Sequence, residues 1–141
     1  MTYTEILFDP DAAGFVQVTI NRPQKLNALS NRVMAELDDA FQSVEREYRG
    51  LILTGAGERA FVAGADIEEL SGVSPLDGQA RCVRDQAIMR RLETMGKPSI
   101  AAINGYALGG GLELEAANYA AISTGAEFRQ RLQAFLDRRR K

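Results

Sequence analysis

The chain of 141 residues contains no histidine, no tryptophan and a single cysteine. Without histidine there is no Ser–His or Cys–His nucleophile pair, no histidine-ligated zinc and no imidazole general acid or base. Acid–base chemistry must then fall to carboxylates, or to Tyr, Lys or Cys82. A lone Cys82 excludes an internal disulfide and suits a reducing compartment. Neither sign of charge dominates: 17 Lys and Arg face 19 Asp and Glu, a net of −2, which gives no general pull toward nucleic acid or anionic membrane. The longest uncharged run, Pro98 to Leu112, is broken by glycines and too short for a membrane span. The N-terminal stretch MTYTEILFDPD has neither the basic region nor the apolar core of a signal peptide. A cytoplasmic location is the expectation. Apolar residues at 45% and charged residues at 26% suit one globular domain with a real core.

Strand and helix patterns alternate along the chain. Tyr3–Phe8 and Phe15–Ile20 read as a hairpin, with Val16, Val18 and Ile20 alternating as in a half-buried strand. Ser30 is placed to cap a helix whose apolar face is Val33, Leu37, Phe41 and Val44. Gly50–Thr54 is a continuous apolar run of the kind buried on both faces of a parallel sheet. Phe61–Ala65 follows as an extended segment, and Asp66–Leu70 as a first helical turn. Ser71–Gly78 reads as loop. A second helix runs from Gln79 to Met95, its stripe marked by Val83, Ala87, Ile88, Leu92 and Met95. After Gly109 the pattern is helical, with Phe128, Leu132, Phe135 and Leu136 on one face near the basic end. The class this predicts is α/β with a largely parallel sheet.

Two glycine-bearing turns carry the candidate chemistry. Ala63-Gly64-Ala65-Asp66 and Leu108-Gly109-Gly110-Gly111 each end an apolar strand and open a helical turn. Strand ends on one edge of a parallel sheet converge, so backbone N–H groups from both turns can meet on one carbonyl oxygen. The same glycines also serve tight turns and close helix–strand packing, and the pattern alone leaves both readings open. Glu113, between Leu112 and Leu114, sits in the most apolar part of the chain, where burial raises a carboxyl pKa toward acid–base use. The alternative is a glutamate on the exposed side of its helix. Gly55–Ala60 fits the spacing of a dinucleotide fingerprint but opens no helix, so we reject it. Asp66, Glu68 and Glu69 are explained more cheaply as first-turn acids than as a magnesium site.

In order along the chain, Val18-Thr19-Ile20-Asn21-Arg22-Pro23, Leu26-Asn27-Ala28-Leu29, Leu51–Gly55, Ala60–Ile67, Lys97-Pro98 and Ala102–Leu114 resemble the crotonase (enoyl-CoA hydratase/isomerase) superfamily. The resemblance implies an α/β fold of the ClpP/crotonase type, a ββα spiral, here shortened. It divides the chain into a core over 1–114 and a helical segment over 115–141 that is similar to the family's extreme C-terminus, with an internal stretch missing between them. It implies hydration of trans-2-enoyl-CoA to 3-hydroxyacyl-CoA, as in fatty-acid β-oxidation, with coenzyme A as part of the substrate and no separate cofactor or metal. By resemblance Ala65 and Gly110 supply the oxyanion-hole N–H groups, and Glu113 is one of two acid–base glutamates. Ala63, Ala65, Asp66, Ile67 and Glu68, with Gly110, line the coenzyme A cleft, and Lys25 is a phosphate contact. The second glutamate has no counterpart, which predicts impaired turnover. The family's trimer contacts are mostly absent, and no nucleic-acid or membrane partner is implied. The alternatives are a non-catalytic acyl-CoA-binding or modulating protein, a truncated product without function, or an isomerase or acyl-CoA hydrolase of the same superfamily.

Overall fold

The alternating Val16, Val18 and Ile20 are fully buried on strand β2 (Phe15–Ile20), the centre of the computed structural model, which describes residues 2–114. β2 pairs antiparallel with β1 (Ile6–Pro10) and parallel with β3 (Gly50–Gly55). β5 (Ser99–Ala102) pairs parallel with β3, giving a four-stranded sheet in the order β1-β2-β3-β5. β1 starts at Ile6 rather than Tyr3 because the N–H groups of Thr4, Glu5 and Ile6 turn to the Glu36 carboxylate instead of a strand partner. β3 is not buried on both faces as expected: Leu51 and Leu53 are buried, whereas Ile52 and Thr54 are half-buried.

Helix α1 (Asn31–Glu47) lays Val33, Leu37, Phe41 and Val44 on the sheet, all fully buried. Its cap is Ser30, whose Oγ accepts from the Val33 N–H at 3.0 Å, one of the donors that a helix start leaves without a partner. Helix α3 (Pro75–Thr94) begins at Pro75, inside the segment expected to be loop. Ser74 accepts from the Asp77 N–H at 3.2 Å and donates to its carboxylate at 2.6 Å, and proline suits the first helical position, where no N–H is needed. The expected stripe holds at Ile88, Leu92 and Met95, which are buried, and fails at its N-terminal end. Val83 is 63% exposed and Ala87 is exposed, while Ile88, Met89 and Leu92 face the core beside α1. Arg91 ties the two helices together through Asp38 at 2.8 Å.

The strand that feeds the second glycine turn is not β5. β5 ends at Ala102, and the chain turns at Asn104-Gly105 into β6 (Tyr106–Ala107), which pairs parallel with β4 (Ala60–Val62) in a separate two-stranded sheet. The run from Gly55 leads into β4 and not into a helix, as the rejection of a dinucleotide loop required. Asp66 caps the short helix α2 (Ile67–Leu70), and residues 110–114 are helical. The expectations for 115–141, including the terminal amphipathic helix and the domain boundary, lie outside the described residues.

Candidate active site

β4 and β6 run side by side in the same direction, so the turns that follow them leave the same edge. The Leu108 N–H donates to Val62 O at 3.0 Å, holding the second turn against the end of β4. Gly64 and Gly109 sit at positive φ, +124° and +50°, where a side chain is disfavoured. A Cβ on Gly109 would lie 3.6 Å from the Gly64 Cα, so the two turns touch at these glycines. Ala65 and Gly110, each one residue on, are thereby brought together.

The orientation of the Ala65 N–H follows from its neighbours. The Leu29 N–H donates to Gly64 O at 2.8 Å, and the Asp66 N–H donates to Leu29 O at 3.0 Å. Gly64 C=O and Ala65 N–H belong to one trans peptide and point in opposite directions. A carbonyl aimed at Leu29 therefore aims the Ala65 N–H away from it, and Ala65 is exposed. Gly110 is the first residue of the helical segment 110–114, a position whose N–H has no partner within a helix. Among the described residues, neither the Ala65 nor the Gly110 N–H donates to a backbone carbonyl.

Below the turn lies a buried ionic cluster that the sequence reading did not single out. Arg22 meets Asp66 at 2.9 Å and Glu5 at 3.2 Å, and its Nη1 donates to Ala28 O at 2.7 Å. Burial acts most strongly on the Asp66 carboxyl and would raise its pKa; the Arg22 hydrogen bond, the Glu68 N–H and the charges of Arg22 and Lys25 outweigh it and hold it below the usual aspartate value. Asn27, fully buried, donates from one amide to Ala56 O at 2.9 Å and Ala60 O at 2.7 Å, and accepts from the Arg22 N–H at 3.0 Å. Asn104 holds the same loop from the other side of the sequence, reaching Gly55 O and Gly57 O at 2.6 Å each. Arg22, Asn27 and Asn104 stand in the sequence only as members of the motifs that carry the family resemblance; no role is legible for them there, because most of their partners, such as Glu5, Asp66, Ala56 and Gly55, lie far away in the chain.

The remaining candidate residues are distributed as follows. Ala63 is half-buried beside Ala65, Ile67 is 79% exposed, and Glu68 is exposed on the same surface. The Asp66 side chain is buried and turned inward to Arg22, which leaves it no free face toward a ligand in that cleft. Lys25 Nζ is bonded to Glu68 Oε1 at 2.6 Å, so a phosphate there must displace or share that carboxylate. Glu69 accepts from Arg81 at 3.2 Å and from the Asn31 N–H at 2.7 Å. The acids of this turn are thus each held by a separate cation. Glu113 is not buried as expected. It is exposed and borders an open cavity of about 570 Å³ with Val83, Met89, Arg90 and Glu93, because Leu114, and not Glu113, points into the core.

Comparison with known proteins places the chain in a family. Residues 11–135 match the family model described as enoyl-CoA hydratase/isomerase. The chain is 48% identical to a short-chain-enoyl-CoA hydratase of Clostridium acetobutylicum over 69% of its own length and 38% of that protein. It is 40% identical to a crotonyl-CoA hydratase of Syntrophomonas wolfei over 81% of its length and 44% of that protein. Among solved structures, an enoyl-CoA hydratase from Bacillus anthracis superposes with a TM-score of 0.77 at 38% identity, covering 81% of this chain and 45% of that one. The chain spans less than half the length of each of these relatives.

Proposed function

The chain belongs to the enoyl-CoA hydratase/isomerase family, and from that premise we propose that it binds acyl-CoA thioesters and acts as a hydratase of trans-2-enoyl-CoA. One observation carries the reading: two positive-φ glycine turns touch, and the N–H groups immediately after them, on Ala65 and Gly110, are left without backbone acceptors among the described residues. Both N–H groups donate to the thioester carbonyl oxygen. As water adds, negative charge moves onto that oxygen, and prealigned donors stabilise it without reorganising; removing one such donor costs about 3–4 kcal/mol of barrier lowering in comparable sites. Glu113 takes a proton from the attacking water as the water oxygen bonds to Cβ and the Cα=Cβ electron pair moves toward the thioester. Glu113 then delivers that proton to Cα, so the H and OH of one water end on Cα and Cβ of 3-hydroxyacyl-CoA and the carboxylate is restored. Coenzyme A runs along Ala63–Glu68 with Lys25 released from Glu68 to meet a phosphate.

Hydratase chemistry in this family's pattern uses two glutamates, and the chain offers a counterpart to one. Turnover is therefore expected to be strongly reduced relative to full-length relatives. The loss of crotonyl-CoA absorbance with purified protein tests this. A rate equal to that of complete relatives removes the impairment, and an unchanged rate in Glu113→Gln removes the role of Glu113. The exposure of Glu113 favours a second reading, in which the cleft binds acyl-CoA without chemistry. Calorimetric titration separates the two: micromolar binding of a thioester with no turnover supports the second reading, and absence of binding overturns both.

A further inference from the structure

The peptide that presents the Ala65 N–H is the last of a hydrogen-bonded series that begins on a buried cation. Arg22 Nη1 donates to Ala28 O at 2.7 Å. Ala28 C=O and Leu29 N–H are opposite ends of one peptide, and that N–H donates to Gly64 O at 2.8 Å. Gly64 C=O and Ala65 N–H are opposite ends of the next. Two peptide dipoles therefore stand head to tail between the guanidinium and the exposed Ala65 N–H, each polarised in the sense that strengthens the next donor. The guanidinium is fixed at its other nitrogens by Glu5 at 3.2 Å and Asp66 at 2.9 Å. Asp66 is the residue after Ala65, and its own N–H is bound to Leu29 O at 3.0 Å. Ala65 is thus held from both sides: the Gly64 carbonyl leads through Leu29 and Ala28 to Arg22, and Asp66 meets Arg22 by its carboxylate while its N–H shares Leu29 O with Arg81. The Arg22 side chain is 12% exposed and its Asp66 partner 7%, so water competes little for these bonds.

We propose that Arg22 is a positioning residue for the carbonyl-binding site: through the Ala28–Leu29 and Gly64–Ala65 peptides it aims and polarises the Ala65 N–H donor. The inference rests on the thioester-binding reading above. Lysine does not replace arginine in this role, because one ammonium cannot span Ala28 O, Glu5 and Asp66 in the fixed planar arrangement that three guanidinium nitrogens provide.

The test compares two ligands that differ at the carbonyl alone: butyryl-CoA, a thioester, and S-butyl-CoA, the thioether in which a methylene replaces the carbonyl. The wild-type chain is expected to prefer the thioester. Arg22→Lys should lose that preference by about tenfold, the weight of one hydrogen bond, while S-butyl-CoA affinity changes less than about twofold. Glu5→Gln disturbs the same buried cluster but leaves the Nη1 bond to Ala28 O, and should keep the preference. If wild-type protein shows no thioester preference, the carbonyl-site reading falls, and this inference with it. If it does and Arg22→Lys keeps it, only the inference falls. Equal losses for both ligands in both variants reduce Arg22 to a structural residue and likewise overturn it. A measurement on wild-type protein stands apart from how the variants fold: NMR coupling across the Leu29 N–H to Gly64 C=O bond should be detectable in the free chain, and its absence breaks the series.

Discussion

At the scale of single residues, Gly64 is the position where the site depends most on backbone freedom. Its φ of +124° belongs to a region that side chains rarely enter, and its ψ sets the direction of the Ala65 N–H. Gly64→Ala is expected to cost about 1–3 kcal/mol in urea unfolding and to weaken butyryl-CoA more than S-butyl-CoA. A variant with wild-type stability and unchanged ligand preference would show that the turn tolerates a second conformation. Two carboxylates make a different residue-scale prediction. Burial pushes Glu36 upward, but the Thr4 hydroxyl and the N–H groups of Glu5, Thr4 and Ile6 hold it below the usual glutamate value; Asp66 is held low by Arg22 and the Glu68 N–H. In both, the folded pKa lies below the unfolded one. The unfolded chain therefore binds more protons on acidification, and the stability these groups contribute is complete above about pH 4–4.5 and lost as pH falls through their folded values. Urea titrations at stepped pH should show stability declining below about pH 4.5. Glu36→Gln and Asp66→Asn should be less stable at neutral pH and show a shallower decline. A slope identical to wild type in both variants would assign the acid sensitivity elsewhere.

Elements differ in how much of them a sequence can announce. α1 was legible to its cap, because a 3.6-residue period and a Ser N-cap are both local signals. Ser30→Ala is expected to lower stability by about 1 kcal/mol through loss of the Val33 bond, with some further cost because Ser30 also donates to Glu5; a change within error in thermal unfolding would mean water replaces both bonds. α3 was legible in existence and in the C-terminal part of its face, at Ile88, Leu92 and Met95, but not in its start. The Ser74-Pro75-Asp77 cap has its signal in the sequence, yet the weak apolar period gave no reason to begin a helix there. The period also included Val83 and Ala87, which the structure leaves exposed, because Arg81 occupies the buried position that a simple stripe assigns to an apolar side chain. Its guanidinium is satisfied by Asp85, four residues on along the helix, and by Glu69 and Leu29 O, two contacts that no spacing rule could reveal. Val83→Gln should accordingly change stability by less than about 0.5 kcal/mol, and a loss above 1 kcal/mol would place Val83 against a surface. The candidate site divides along the same line. The glycine turns were readable because conformation and residue type are tied at those positions. The Arg22 cluster was not, because Glu5 and Asp66 lie far away in the chain, and the sequence left Glu113 between a buried and an exposed reading that only the rotation of its helix, with Leu114 inward, decides.

For the molecule as a whole, one core links these parts. Buried residues of β1, β2, β3, β4, α1 and α3 form a single cluster that includes Phe61 and Val62 beneath the first turn and Leu114 beyond the second. The two glycine turns are therefore not an appendage to the sheet; opening them exposes part of the same core. Among the described residues no helix is long and apolar enough to cross a membrane. A chain spanning under half the length of its relatives still needs that cluster to unfold as a unit if the site is to exist in solution. The expected result is one cooperative transition, seen alike by far-ultraviolet circular dichroism and tyrosine fluorescence. A thioester that binds the folded chain alone then shifts it by mass action, about 2.7 kcal/mol at roughly 100 times the dissociation constant. Butyryl-CoA should produce that shift, and S-butyl-CoA at the same concentration a smaller one. The two ligands differ at the carbonyl alone, so under the proposed function the difference between their shifts reports on the Ala65 and Gly110 donors. Equal shifts would mean that the cleft holds coenzyme A while the turns take no part. A broad, non-cooperative transition would mean instead that the turns are not held in place at all.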